Sequence, residues 1–139
     1  MPAADEIAAT SCPLRFFLAE LSYGYAQMSG GDCGYLISMA NSNIETAWKY
    51  FEAGVKRDCA TVMGFHTELA GMLRFLMETL GPNLMDGAYD KMYVRLVLPD
   101  FPLRLLPPYA QASEAAFAAY ETFLETTFPH WLEPRGGRA

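Results

Sequence analysis

Two stretches of the sequence decide the fold: ISMANSNIETAWKYFEAGV at residues 37–55 and VMGFHTELAGMLRFLMETL at residues 62–80. Seven apolar positions of the first stretch recur 25 residues later in the second, as Ile37 does in Val62. The two sets are Ile37, Ala40, Ile44, Ala47, Trp48, Phe51, Val55 and Val62, Phe65, Leu69, Met72, Leu73, Leu76, Leu80. Steps of three and four residues predict two helices, each with one apolar face. The short polar link Lys56-Arg57 predicts that they pair as an antiparallel hairpin.

Cap and breaker residues bound these two helices. Asp32 and Asp58 are the predicted N-caps, so the first helix would run from about Asp32 to Gly54. The pair Gly81-Pro82 ends the second, because Gly adopts a left-handed cap and Pro bars continuation.

Further helical patterns flank the hairpin at residues 13–28, from about 83 to 97, and at about 109–128. Residues 94–98 also suit a short strand, but the chain offers no second strand to pair with it. Four prolines break residues 99–108 into an extended, unusually apolar connector. The predicted fold class is all-α, an antiparallel bundle of four to five helices with a central hairpin and a Pro-rich apolar connector.

Length, composition and charge limit the classes of function. The chain has 139 residues, 52% of them hydrophobic, which suits a single helical domain over residues 1–139. Residues 1–12 form a predicted N-terminal arm, 13–128 the bundle and 129–139 a tail. A net charge of −6 argues against binding to nucleic acid. No run reaches the roughly 18 apolar residues of a membrane span.

No motif in the chain points to catalysis or to a metal site. His66 is followed by Leu69 and Ala70 at the positions where a helical metal site needs a second ligand. The three cysteines have no C-x-x-C spacing, and their odd number together with the absence of a signal peptide predicts a reduced, cytoplasmic setting. We therefore predict no catalytic residue, no metal ligand and no cofactor.

An excess of apolar residues remains after the predicted core is filled, since the chain has eight Met and 14% aromatic residues. Methionine and tyrosine on an outer face suit an adaptable interaction surface. The alternative is that a bundle buries the hairpin on two sides. The predicted surface consists of Tyr35, Met39, Tyr50, Met63, His66, Met77, Phe101 and Leu105.

Residues 41–53, the Arg57-Asp58 break and residues 62–68 resemble the central hairpin of phasins, the proteins that coat polyhydroxyalkanoate granules. The resemblance covers about residues 35–80. It implies a non-catalytic protein whose amphipathic helices cover a hydrophobic polymer and self-associate.

The expected function is thus that of a non-catalytic helical interaction protein. It would coat a hydrophobic surface such as polyhydroxyalkanoate or act as an assembly or adaptor subunit, with a protein or polymer partner and as a homo-oligomer. The alternative is a bundle that binds a small ligand or acts as an enzyme, with a pocket between the aromatic hairpin and the apolar connector.

Overall fold

The structure is a computed structural model that describes residues 16–81 and 85–133. These residues are mostly helical, which confirms the all-α class. The helices are α1 (Glu20–Met28), α2 (Ile44–Val55), α3 (Cys59–Leu80), α4 (Asp86–Val97) and α5 (Glu114–Thr127). Short 3₁₀ turns lie at Met39–Asn41 and Pro129–Trp131, and two strands, β1 (Phe17–Leu18) and β2 (Gly34–Tyr35), pair in parallel.

The described residues divide into two compact units. Unit 1 contains those up to Ile37 together with Lys49–Leu69, and unit 2 contains Ser38–Trp48 together with those from Ala70 onward. The core of unit 1 consists of Tyr23, Ala26, Tyr50, Ala53, Val62 and Leu69. The large core side chains of unit 2 are Met39, Met72, Leu76, Leu80, Met92, Tyr93, Leu103, Phe117, Tyr120, Leu124 and Trp131.

The first helix is shorter than the predicted span of residues 13–28. It begins at Glu20, because the preceding residues leave the helical path to form β1. The Gly34 amide donates to the Phe16 carbonyl at 2.7 Å, and the Leu36 amide donates to the Leu18 carbonyl at 3.0 Å. Gly34 allows this pairing, because a Cβ there would lie 2.6 Å from the Phe17 ring. Residues 13–15 and the predicted arm lie outside the described residues.

Helix α2 begins at Ile44, so the prediction that Asp32 caps it is wrong. The residues after Asp32 form β2 and a 3₁₀ turn instead. Asn43 is the residue that caps α2, since its Oδ1 accepts a hydrogen bond from the Thr46 amide at 3.1 Å.

Helix α3 has the bounds that the sequence predicts. Asp58 caps it by accepting the Thr61 amide at 3.2 Å, and Gly81 ends it with φ of +56°. Its predicted apolar face is correct: Val62, Leu69, Met72, Leu76 and Leu80 are buried, while Phe65 and Leu73 are half-buried.

The C-terminal helices also follow the predicted order, with shorter bounds. Helix α4 extends to Val97, so residues 94–97 are helical and not a strand; its predicted start near residue 83 lies outside the described residues. Residues 99–108 contain no helix or strand, as predicted, and within them Leu103 is buried. Helix α5 begins after Ser113, whose hydroxyl accepts the Ala116 amide, rather than near residue 109. It ends before Pro129, as predicted.

The predicted apolar face of α2 is wrong in an informative way. Ile44, Trp48 and Val55 are 57%, 57% and 61% exposed, whereas Ala47 is buried. The buried face of α2 consists of smaller or polar-tipped residues, namely Thr46, Ala47, Tyr50, Ala53 and Gly54. Small residues let neighbouring segments of the same chain approach this face closely. The large apolar residues of α2 therefore lie on its outer face.

Candidate functional site

Only two of the eight residues predicted to form an interaction surface are exposed. Met63 and Met77 are exposed on α3, at 44% and 55%. Three are buried in the chain, which corrects their placement on a surface: Met39, Tyr50 and His66. Three are half-buried: Tyr35, Phe101 and Leu105. The buried three serve packing, because their side chains fill the interior of a unit.

Tyr50 belongs to a tyrosine cluster in unit 1, formed by Tyr23, Tyr35 and Tyr50. The rings of Tyr23 and Tyr35 stack with centroids 4.4 Å apart, and Tyr50 meets both edge-on at 5.4 and 5.3 Å. The Tyr23 hydroxyl donates to the Phe51 carbonyl at 2.7 Å, and the Tyr50 hydroxyl donates to the Glu20 carbonyl at 3.1 Å. These two bonds fasten α1 to the C-terminal part of α2.

Two glycines make the close packing of this cluster possible. A Cβ on Gly24 would lie 2.5 Å from the Tyr50 hydroxyl and 3.1 Å from His66 Nδ1. A Cβ on Gly54 would collide with the Tyr23 hydroxyl and lie 2.7 Å from its Cζ. Gly24 therefore lets α1 lie against α2 and α3, and Gly54 lets Tyr23 lie across α2.

Two polar atoms of this region are buried without a hydrogen-bond partner among the described residues, Tyr35 Oη and His66 Nδ1. The His66 ring packs edge-on against Tyr25 at 4.6 Å. Such a group costs about 1–3 kcal/mol of folding free energy. Within residues 16–81 and 85–133, no group of three or more His, Cys, Asp or Glu side chains could hold a metal ion.

Burial of the tyrosine cluster raises the pKa values of its hydroxyls. It raises the pKa of Tyr23 to about 12, with a smaller contribution from Cys33, and it also raises the pKa values of Tyr35 and Tyr50. All three phenols are therefore un-ionised at neutral pH. An un-ionised phenol donates a hydrogen bond but cannot act as a general base, so the cluster suits packing better than proton abstraction.

The raised pKa values predict that the protein loses stability in alkali. Between pH 10.0 and about 12 the unfolded chain releases the Tyr23 proton while the folded chain keeps it. The free energy of unfolding should therefore hold below pH 10.0 and fall above it, as seen in urea-denaturation midpoints measured across this range. Tyr23→Phe should weaken this decline, whereas Tyr109→Phe, a change at a 56% exposed ring, should leave it as in the wild type. A urea-denaturation midpoint that rises with pH above 10.0 would contradict a raised pKa for Tyr23 in the folded chain.

Asp90, a half-buried residue of unit 2, also has a buried polar atom. Burial raises the pKa of its carboxyl, a hydrogen bond from Ser38 opposes the rise, and nearby Asp86 adds to it. Its Oδ1 has no hydrogen-bond partner among the described residues. A half-buried carboxyl bonded to a serine next to one further carboxyl lacks the ligand set of a metal site.

The outer face of α2 is the feature most unlike an ordinary helical protein. We define the outer stripe as Ile44, Trp48, Phe51 and Val55, of which Phe51 is half-buried. Steps of four, three and four residues place the four side chains within about 60° of one line along the helix. Three large apolar side chains that are more than half exposed on one helix face are typical of an interaction site.

A row of charges lies beside this stripe. Every stripe residue is followed by a charged one, and we define the charged row as Glu45, Lys49, Glu52 and Lys56. Lys56 and Glu52 form an ion pair at 2.9 Å. The row has no net charge, and it lies about 100° round the helix from the stripe.

The predicted interaction surface thus missed the exposed face of α2, since Tyr50, its one residue on that helix, is buried. The sequence contains an indication of this face: Thr46, Tyr50 and Gly54 lie on a side of α2 that is free of charged residues, so that side could be buried instead of the stripe.

Comparison of the chain with protein-family models, with curated proteins and with solved structures finds no significant match. No helix within the described residues is long and apolar enough to cross a membrane.

Proposed function

We propose that this chain is a non-catalytic helical interaction protein that binds a neutral apolar surface through the outer stripe of α2. The observation that carries the proposal is the exposure of Ile44, Trp48 and Val55 on one face of a helix whose other face is buried. A helix of this kind lies flat on an apolar boundary, with its charged residues kept in water.

The charges favour a neutral surface over a membrane or a nucleic acid. Helices that bind anionic lipid carry an excess of Lys and Arg on the polar face. The charged row has no such excess, because its two lysines are balanced by two glutamates, and the chain as a whole carries a net charge of −6. The resemblance of residues 35–80 to phasins supports a specific surface of this kind, a polyhydroxyalkanoate granule.

The proposal predicts that Trp48→Glu strongly weakens binding to the polymer. Half of a Trp side chain buried on binding contributes about 2 kcal/mol, so the affinity should fall roughly tenfold or more. The measurement is co-sedimentation of the purified protein with particles of amorphous poly(3-hydroxybutyrate), at increasing particle concentration.

A matched control adds the same charge elsewhere. Ala118→Glu places a carboxylate at an exposed position of α5, and it should bind the particles as the wild type does. Equal binding by Trp48→Glu and the wild type would contradict the proposal, as would no binding by the wild type.

A further inference from the structure

We propose that the outer stripe of α2 pairs with the outer stripe of a second copy of this chain, in antiparallel orientation, when no apolar surface is bound. The proposal rests on the proposed function, because both use the same stripe. The free chain would thereby cover Ile44, Trp48 and Val55, which are otherwise more than half exposed.

The order of charges in the charged row carries this inference. From the start of α2 to the residue after its end, the row reads Glu45, Lys49, Glu52, Lys56. Its signs alternate, so the row read in reverse has the opposite sign at every position. In an interface with two-fold symmetry, residue i meets residue j while j meets i. When two antiparallel copies of the row face each other, Glu45 lies opposite Lys56 of the other copy, and Lys49 lies opposite Glu52. Every position then faces an opposite charge.

The stripe has the same symmetry as the row. With its centre on the two-fold axis, Ile44 lies opposite Val55 of the other copy, and Trp48 lies opposite Phe51. The two centres differ by one residue, so with the axis on the stripe each charge lies two residues, or about 3 Å along the helix, from its opposite partner. Long Lys and Glu side chains span that offset easily, so one arrangement serves both sets of contacts.

A parallel pair would not use the row in this way. In a parallel pair, the charged row of one copy would face the side of the other copy's α2 that lies across the stripe from the row. That side carries the buried residues Ala47 and Gly54. The lysines would then face small side chains already packed within their own chain. Antiparallel pairing is therefore the orientation that the charges favour.

The contact is small for a dimer. The stripe and row supply eight residues per copy, compared with about 20–30 in a standard interface, so we expect a dissociation constant in the micromolar range. A weak dimer suits the proposed function, because an apolar surface then competes successfully for the stripe.

The test is charge exchange on the row, which leaves the stripe intact. One variant, Lys49→Glu/Lys56→Glu, has an all-acidic row, and a second, Glu45→Lys/Glu52→Lys, has an all-basic row. A third carries all four changes, which restores alternating signs. Sedimentation velocity is measured across about 1–500 μM, a range that brackets a micromolar dissociation constant. Helical circular dichroism checks that each variant is folded.

The wild type should form dimers, and each of the two double variants should dimerise about tenfold more weakly or not at all. An equimolar mixture of the two should form a heterodimer, and the fourfold variant should dimerise alone. A wild type that stays monomeric overturns the proposal, and so do double variants that dimerise as the wild type does. Since the variants keep the stripe, their binding to poly(3-hydroxybutyrate) particles tests the proposed function separately.

Discussion

Trp131→Ala should lower the free energy of unfolding by about 3–5 kcal/mol, because it removes the largest fully buried side chain in the described residues. Trp131 lies in a 3₁₀ turn that is fastened to the start of α2. The Asn43 side-chain amide donates to the carbonyls of His130 and Leu132, each at 3.1 Å, and the Thr46 hydroxyl donates to that of His130 at 2.6 Å. These bonds hold the turn in place, so the cavity cannot close by a simple shift of the chain end.

The other tryptophan provides the control. Trp48→Ala should cost less than about 1 kcal/mol, because Trp48 is 57% exposed. Both variants are compared with the wild type by urea denaturation followed by circular dichroism. Equal losses for the two would contradict the assignment of Trp131 to the core and Trp48 to the outer stripe.

Gly54→Ala should lower the free energy of unfolding by about 2–3 kcal/mol. The new methyl group would collide with the Tyr23 hydroxyl and displace a ring that is fully buried. Tyr23 would then lose its hydrogen bond to the Phe51 carbonyl. The higher helix propensity of Ala offsets up to about 1 kcal/mol of this loss.

Gly64 is the matched control, since it also lies within a helix but a Cβ there would meet no atom within 4 Å. Gly64→Ala should therefore raise the free energy of unfolding by about 0.5–1 kcal/mol. Denaturation midpoints of the two variants should move in opposite directions. A stabilising Gly54→Ala would show that Tyr23 does not pack across α2.

Much of the fold could be predicted because local signals agreed with tertiary packing. Helix α3 has a capping Asp58, a terminal Gly81 and an apolar face on a single side, and the structure confirms all three. The four prolines between residues 99 and 108 likewise leave no choice but a connector.

Helix α2 could not be predicted as well, because it has two faces that suit burial. One carries large apolar residues at regular spacing, and the other carries Thr46, Ala47, Tyr50 and Gly54. The regular spacing of large apolar residues detects only the first of these two faces. The second is buried because its small residues allow close approach and because Tyr50 bonds to the backbone of α1, contacts that no local pattern reveals.

The short strands and the late start of α1 have a similar cause. The apolar pattern around Phe17 suits a helix as well as a strand, and the choice depends on a backbone pairing with Gly34, which is distant in sequence. The candidate site was missed for a related reason: a stripe with regular spacing was expected to face inward.

The accessibility of Trp48 tests the central claim most directly. In the Trp131→Phe variant Trp48 is the only tryptophan, so acrylamide quenching of its fluorescence reports on the outer stripe alone. We predict ready quenching in dilute protein and strong protection once poly(3-hydroxybutyrate) particles are added. Protection from acrylamide in the free, dilute protein, or unchanged quenching on the particles, would contradict an outer stripe that binds apolar surfaces.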